Sequence, residues 1–231
     1  MRKQAWRIRY LPADDDRASR ARTLLHEAVT PLRQARQVSR CTETIYEPET
    51  EAFGGDQGMA AAHDLFHGDS RHIFTHLAYL DAGPVRRREL SVLLCTALMR
   101  TAGLDWFERG DVWAKVVALR PAKQDALAEQ WEPFQAAVER LLVSDISLGG
   151  DLRSGPIAFA AGWVSGFEAA GRRLRALAEE GLLARGLRAV IAHHVIFHWN
   201  RVGLPALVQA NLALAAQKVV FDSPGLTRTG E

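Results

Sequence analysis

The stretch LRAVIAHHVIFHWNR, residues 187–201, combines an apolar helical pattern with histidines and an arginine. Residues three or four apart share one face of a helix, so His194, His198 and Arg201 fall on the same stripe. Polar groups therefore interrupt a face that would otherwise be buried. Two interpretations are open: core histidines satisfied by hydrogen bonds, or a base beside an anion-binding arginine.

From Gly55 onward, the chain on both sides of this stretch also follows helical periodicity. Glycines and prolines stand where helices should stop. Residues 223–231 have no periodicity, and we expect a disordered tail there. The predicted helices cover residues 57–67, 69–80, 85–102, 105–119, 124–143, 157–180, 182–201 and 205–218.

The first quarter of the chain has a different pattern. Residues 6–11 alternate between apolar and arginine side chains, and residues 38–46 are rich in Thr, Ile and Tyr, which is typical of strands. The aspartates at 14–16 are suited to cap the N-terminus of a helix that lies between the two predicted strands. The sequence therefore predicts an α+β fold, with a small amino-terminal sheet and its crossover helix in residues 1–55 and a larger helical part in residues 56–222.

The composition is that of a folded globular protein, with 231 residues, 48% hydrophobic and 24% charged. The formal net charge is only +2, although the first 40 residues hold ten basic against four acidic residues. A dedicated nucleic-acid-binding surface is therefore not expected. No apolar stretch approaches the ~20 residues that span a bilayer, and no secretory signal is present, so we expect a cytoplasmic protein without membrane association. Cys41 and Cys95 lie far apart and predict two reduced thiols.

The remaining histidines raise the question of a metal site. His63 and His67 are four residues apart, as are His72 and His76, and metal sites on helices use this spacing. The HExxH motif and paired cysteines are absent from the sequence, so we predict neither a metal nor another cofactor. The alternatives are surface or helix-capping histidines, or histidines that line a cleft with charged neighbours: Asp64, Asp69 and Arg71.

Three carboxylates alternate before a double glycine in residues 47–55. In an extended chain they would lie on one side, where like charges repel unless cations meet them. Two arginines of the first predicted strand are candidate partners, and a solvated acidic loop is the alternative. The carboxylates are Glu47, Glu49 and Glu51, and the arginines are Arg7 and Arg9.

Several separated blocks, taken in order, resemble one family. They are IYEPETEAFGG (45–55), AHDLFHGDSR (62–71), RELS (88–91), GLDWFE (103–108), GDVW (110–113) and HHVIFHWNRVGL (193–204). As a set they are similar to the small thiopeptide-type bacteriocin biosynthesis proteins. These proteins are related to the C-terminal, glutamate-eliminating domain of the class I lantibiotic dehydratases. The resemblance implies a single domain of this kind over residues 1–231.

The resemblance also implies an activity and partners. In the split dehydratase systems of this family, a partner subunit uses glutamyl-tRNA to esterify a Ser or Thr of a ribosomal precursor peptide. The small protein then removes glutamate as a lyase and leaves dehydroalanine or dehydrobutyrine. The implied partners are thus the precursor peptide and a glutamylating dehydratase subunit, with no direct binding of tRNA.

The family motifs assign roles to particular residues. His198, which precedes an Asn-Arg pair, is similar to the catalytic histidine of elimination domains, and Arg201 is the nearby cation. Arg9 is the implied contact of the departing glutamate. The residues expected to bind substrate around them are Arg7, Glu49, Glu51, Arg71, His194 and Asn200.

One departure from the family pattern keeps other activities open. Elimination domains carry arginines at the positions of Pro48 and Ala52, so one expected anion contact is absent. Arg71 or Arg201 would have to replace it. Relatives catalyse a formal [4+2] cycloaddition on a dehydrated peptide, and others belong to peptide aminoacyl-tRNA ligases. A non-catalytic subunit that docks the precursor peptide is the further alternative.

A second departure concerns the amino terminus. In full-length relatives, further strands precede the strand that carries the Trp-Arg-x-Arg pattern. We therefore expect either a naturally short variant or a chain that lacks these first strands. An open sheet edge would also allow a homodimer.

Overall fold

The computed structural model describes residues 7–82, 87–121, 131–146 and 157–222, which form eight α-helices and one short 3-10 helix. The chain divides into two compact units, Met1–Pro48 and Glu49–Glu231. The first unit contains α1 (Asp15–Gln34). The second contains α2 (Asp56–Ala82), α3 (Arg87–Thr101), α4 (Trp106–Leu119), α5 (Trp131–Val143), the 3-10 helix (Ala158–Ala160), α6 (Ala161–Glu179), α7 (Leu187–Arg201) and α8 (Ala206–Asp222).

The predicted amino-terminal sheet is wrong. The described ranges contain helices but no strand, and residues 7–13 and 35–48 run irregularly before and after α1. A strand needs the backbone hydrogen bonds of a partner strand, which an alternating pattern cannot supply by itself. The apolar side chains of that pattern stay in solvent, with Ile8, Leu11 and Ile45 exposed to 64%, 94% and 92%. Trp6, in the first predicted strand, lies outside the described residues.

The crossover helix, α1, forms without that sheet. Its N-cap is the one that the sequence predicts, since the Asp14 carboxylate accepts a hydrogen bond from the Arg17 backbone N–H at 2.8 Å. The helix contains Pro31 and continues to Gln34. None of its residues is buried. The amphipathic pattern therefore predicted the helix correctly but not its surroundings.

The core of the second unit is built around α3. All ten residues from 90 to 99 are buried, which a helix shows only when neighbours cover it on every side. α5, α6 and α7 pack against it. On the other side of α7, the indole of Trp113 in α4 stacks on that of Trp199 at 5.8 Å between ring centroids. α7 thus lies between two layers of helices and is buried along most of its length.

α6 lies very close to α3 at Gly171. A Cβ atom at this position would lie 2.1 Å from Oγ1 of Thr101 and 2.4 Å from the carbonyl oxygen of Leu98. Both distances are far inside van der Waals contact, and one of the two atoms belongs to the backbone of α3. The close spacing of α3 and α6 therefore requires glycine, which has no side chain, at position 171.

The predicted helix boundaries are confirmed in part. The helix predicted over 105–119 is α4, and its first turn is a capping box. The backbone N–H of Glu108 donates to the carboxylate of Asp105 at 2.7 Å, and the backbone N–H of Asp105 donates to the carboxylate of Glu108 at 3.1 Å. The helices predicted over 57–67 and 69–80 form the single helix α2, because one glycine inside a helix costs only about 1 kcal/mol and does not end it.

Two expectations reach beyond the described residues. The helix predicted over 124–143 is described only from Trp131 onward, as α5. The tail expected over 223–231 lies outside the described residues. Of the helices that the structure describes, none has the length and apolar character needed to cross a membrane.

We predict that Gly171→Ala lowers the free energy of unfolding by about 1–3 kcal/mol, because the new methyl group must push α6 away from the backbone of α3. Chemical denaturation of the purified protein measures this. Gly166→Ala is the matched control on the same helix, since a Cβ there meets nothing within 4 Å. It should raise the free energy of unfolding by about 0.5–1 kcal/mol. Equal effects of the two substitutions would contradict the close approach.

Candidate functional site

α2, α6 and α7 meet at the carboxylate of Asp69, which is only 1% exposed. Trp163 of α6 donates its indole N–H to Oδ1 at 2.8 Å. From α7, Nδ1 of His198 lies 3.0 Å from both carboxylate oxygens, and Arg201 donates its Nε–H to Oδ2 at 2.7 Å. These four residues, Asp69, Trp163, His198 and Arg201, are the Asp69 cluster.

The Asp69 carboxylate is ionised at physiological pH. Burial by itself would raise its pKa, but the opposite effect of His198 and Arg201, through charge and hydrogen bonds, prevails and lowers the pKa of Asp69 to about 2. An ionised carboxylate only accepts hydrogen bonds, so Nδ1 of His198 carries the hydrogen that faces it. In the neutral imidazole, Nε2 is then the ring nitrogen that carries the lone pair.

The imidazole of His198 lies in a dry and mostly aromatic environment. Its side chain is fully buried, and Nε2 has no hydrogen-bond partner among the described residues. The ring of Phe167 stands edge-on to it with 4.9 Å between centroids. The guanidinium of Arg201 lies 4.0 Å above the ring of Phe66. Charges in such surroundings interact more strongly than in water.

A pocket of about 280 Å³ opens between α2 and α6 next to this cluster. Asp69 and Phe167 line the pocket and also contact His198, so the imidazole lies directly behind the pocket wall. At the rim, Asp64 of α2 forms an ion pair with Arg173 of α6, with the two side chains 73% and 43% exposed. The other lining residues are small, apolar or aromatic, with one histidine: Ala61, Leu65, Gly68, His72, Trp163, Gly166, Ala169 and Ala170.

His194 belongs to a second, neighbouring cluster of rings. It is buried, its centroid lies 4.9 Å from that of Phe53 and 6.1 Å from that of Phe66, and Nδ1 lies 3.0 Å from the carbonyl oxygen of Val190. Burial is the main cause that lowers the pKa of His194 to about 4, and the charges of Arg201 and His193 act in the same direction. His194 is therefore neutral at physiological pH, and its predicted contact with substrate stays a prediction.

The acidic motif forms turns rather than an extended segment. The backbone N–H of Gly55 donates to the carbonyl oxygen of Thr50 at 2.9 Å, and both Gly54 and Gly55 have positive φ. Glu49 and Glu51 are exposed on these turns, while Phe53 is fully buried. The ring of Phe53 therefore connects this motif to the histidines of α7, because it packs edge-on against His193 and His194. The predicted binding roles of the two glutamates stay predictions.

Two other predicted residues lie on the same helices but outside the Asp69 cluster. Arg71 is exposed on α2, and its charge helps to lower the pKa of His72, for which burial is the first cause. Asn200 accepts a hydrogen bond from Nε2 of Gln209 at 3.0 Å and so connects α7 to α8. This contact explains the position of Asn200 without a ligand.

Arg7 and Arg9 belong to the first unit, where both are exposed. The guanidinium of Arg9 lies 5.3 Å from the centre of the Tyr46 ring, at the distance of a cation–π contact. The approach of Arg9 and Arg7 to a glutamate at His198 stays a prediction.

Sequence reasoning missed Asp69 as the partner of His198. It placed this residue only among charged neighbours of a possible cleft, and Trp163 did not enter at all. A signal was present, because Leu65, Asp69 and Ile73 follow one another at four-residue spacing and form a buried stripe of α2. The same rule drew attention to His194 and His198 on α7.

Residues 1–220 of the chain match the protein family described as lantibiotic biosynthesis dehydratase C-term. The match includes every helix that contributes to the Asp69 cluster and to the pocket. No curated protein and no solved structure matches the chain. The predicted relation to the C-terminal domains of lantibiotic dehydratases is therefore confirmed by the family match.

We expect Asp69→Asn to lower the free energy of unfolding by about 3–5 kcal/mol, because it leaves the guanidinium of Arg201 without its buried counter-charge. Asp64→Asn is the matched control, since it removes the acid of an exposed ion pair on the same helix. It should change the free energy of unfolding by less than about 1 kcal/mol. Urea titrations of wild type and both variants measure the free energy of unfolding. A change of less than about 1 kcal/mol for Asp69→Asn would contradict the stabilising role of the Asp69 charge.

The buried, neutral His194 predicts a pH dependence of stability. Its pKa is about 4 in the folded protein and 6.5 when exposed, so between these values the unfolded chain binds more protons. The free energy of unfolding should therefore fall by about 3 kcal/mol as the pH drops from 6.5 to 4. Unfolding curves at several pH values measure the slope.

His194→Leu should remove most of this slope. His193→Leu is the control, because His193 has the same kind of Nδ1 contact to its own helix, at 3.0 Å, but is only half-buried. It should keep the wild-type slope. A slope that survives His194→Leu would assign the effect to other groups.

Proposed function

The chain belongs to the family of lantibiotic dehydratase C-terminal domains, and on this premise we propose that it eliminates glutamate from glutamylated Ser and Thr residues of a ribosomal precursor peptide. The family fits a peptide-modifying role in lanthipeptide-type biosynthesis, together with a precursor peptide and a dehydratase partner. The finer assignment is supported above all by His198, whose Nδ1 faces an ionised carboxylate while Nε2 is left to accept a proton.

The proposed step is a β-elimination. Nε2 of His198 takes the proton from Cα of the glutamylated residue, and the electron pair of that C–H bond forms the Cα=Cβ double bond. The bond between Cβ and the ester oxygen breaks, and glutamate leaves as a carboxylate. Serine gives dehydroalanine and threonine gives dehydrobutyrine. Since the leaving group departs as a stable anion, the step needs a base but no strong acid.

Asp69 acts as a positioning residue in this scheme. Its carboxylate fixes the ring orientation of His198 and stabilises the imidazolium that forms when Nε2 accepts the proton. Arg201 and Trp163 hold the carboxylate in place through its two oxygens. In this scheme Arg201, which donates its Nε–H to Asp69, supports the base by holding that carboxylate.

Access to Nε2 requires the ring of Phe167 to move. Phe167 lines the pocket and packs edge-on against the imidazole, with 4.9 Å between the ring centroids. A rotation of this side chain would join the pocket to the ring of His198. The scissile residue would then approach the base from the pocket while the rest of the cluster stays dry, which strengthens its electrostatic interactions.

The test uses a precursor peptide that carries a glutamyl ester on Ser or Thr, followed by mass spectrometry. Wild type should convert the ester into the dehydrated residue with release of glutamate. His198→Asn should lower kcat by about 10²–10⁴-fold, because the amide can still donate to Asp69 but offers no basic nitrogen. His193→Asn, outside the Asp69 cluster, should retain the wild-type rate. Circular dichroism verifies that each variant is folded.

Other outcomes assign other activities. Retention of the ester by wild type contradicts elimination, and unchanged turnover by His198→Asn contradicts the role of His198. Peptide binding without turnover, lost on Arg9→Ala, would favour the docking role. Formation of a six-membered nitrogen ring from a dehydrated peptide would favour cycloaddition.

A further inference from the structure

The first unit carries an excess of basic residues that the Asp69 cluster does not use, and two of its arginines lie around one open groove. The first 40 residues hold ten basic against four acidic residues. The groove lies at the carboxyl end of α1 and has a volume of about 650 Å³. We call it the α1 groove, and its polar lining comes from His26, Thr30, Arg33, Gln34, Arg36 and Ser39. All of them belong to the first unit, so an inference about the groove is independent of the proposed function.

The cations of the α1 groove lack a counter-charge. Arg22, on the same helix, pairs with Glu43 at 3.1 Å. By contrast, no carboxylate among the described residues forms an ion pair with Arg33, Arg36 or His26, and all three are exposed. Two guanidinium groups that line one groove repel each other unless an anion meets them. The α1 groove therefore favours a ligand with negative charge.

Arg36 stands at a backbone position that normally takes glycine. α1 ends in a Schellman motif, in which the N–H of Arg36 donates to the carbonyl oxygen of Arg33 at 3.0 Å and the N–H of Gln37 donates to that of Leu32 at 2.8 Å. The φ of Arg36 is 56°, in the left-handed region that strains a residue with a side chain. Glycine would end the helix with less strain. What the arginine adds at this position is a guanidinium on the wall of the groove.

The lining of the α1 groove fits a peptide. Gln34 and Ser39 offer both donors and acceptors, as the backbone of an extended peptide requires. The hydroxyl of Thr30 already donates to the carbonyl oxygen of His26 at 2.7 Å, so its oxygen is left as an acceptor. Since a water molecule occupies only about 30 Å³ in the liquid, the groove has room for a chain segment rather than for one small ion.

The same lining is less suited to a nucleic acid. Among the described residues that line the groove, none is Phe, Tyr or Trp, the side chains on which unpaired bases stack best. Two arginines also provide few of the phosphate contacts on which binding of nucleic acids depends. A guanidinium, however, binds a single carboxylate through two parallel hydrogen bonds.

We propose that the α1 groove binds an acidic, extended segment of a partner protein, with Arg33 and Arg36 each holding one carboxylate. Alternate side chains of an extended segment point to the same side. Two acidic residues separated by one residue therefore present their carboxylates together, as two guanidinium groups on one groove require.

Fluorescence anisotropy with labelled hexaglutamate and the full chain tests the proposal at physiological ionic strength. Wild type should bind hexaglutamate but not hexaglutamine. Arg33→Gln and Arg36→Gln should each weaken binding at least about tenfold, because each removes charge-assisted hydrogen bonds to a carboxylate. Arg20→Gln is the matched control, since it removes the same charge from an exposed position of α1 that does not line the groove. It should weaken binding less than about threefold, because salt screens distant charges.

Arg36→Gly provides a second measurement, in which structure and binding should change in opposite directions. Glycine relieves the left-handed backbone, so the amides of Gln37 and Val38, which both donate to the carbonyl oxygen of Leu32, should exchange with deuterium more slowly than in wild type. Binding of hexaglutamate should nevertheless fall at least about tenfold, because the guanidinium is lost. Slower exchange with unchanged affinity would overturn the proposal.

Three further results would also overturn it. One is equal loss of affinity in Arg20→Gln and Arg33→Gln, which would indicate general attraction by a basic surface. Another is tighter binding of a uridine hexanucleotide or of pyrophosphate than of hexaglutamate, since a nucleic acid or a small anion would then be the better ligand. The third is absence of hexaglutamate binding to wild type at millimolar concentration.

Discussion

The carboxylate of Asp69 is the interaction on which the candidate site depends. It is buried where α2, α6 and α7 meet, and it accepts hydrogen bonds from one donor on α6 and two on α7. A buried anion is costly unless charges and donors surround it, so the carboxylate can stay buried only while α6 and α7 hold their donors against it. The same contacts fix the orientation of His198. The packing of the three helices and the orientation of His198 therefore depend on the same carboxylate.

The site combines a dry interior with a polar mouth. His198 lies against aromatic rings and the buried Asp69–Arg201 ion pair, whereas the rim of the pocket carries exposed charges that exchange partners easily. Electrostatic interactions are therefore stronger around His198 than at the rim of the pocket. The small residues between α2 and α6 provide the space that connects these two environments.

Local features of the sequence predicted local features of the structure. The Asp105 cap of α4, the N-cap of α1 and the shared face of His194, His198 and Arg201 all follow from helix geometry over a few residues, and all are present. The predicted strands failed because strand formation depends on a partner elsewhere in the chain.

The failure to predict Asp69 as the partner of His198 has a related cause. Asp64 and Asp69 are the same residue type on one helix, yet one is exposed at the rim and the other is buried. Only the packing of α6 and α7 decides between them. Their roles therefore depend on contacts between residues far apart in sequence, which a single sequence does not display.

The separation of Asp69 and His198 by 129 residues has a consequence for biosynthesis of the protein itself. At about 5–20 residues per second, a ribosome adds these residues over roughly 6 to 26 seconds. During this time α2 has been made, but α7, which supplies two of the donors, has not. The carboxylate must stay hydrated until α7 has emerged, so the core around it can close only after that helix has been made.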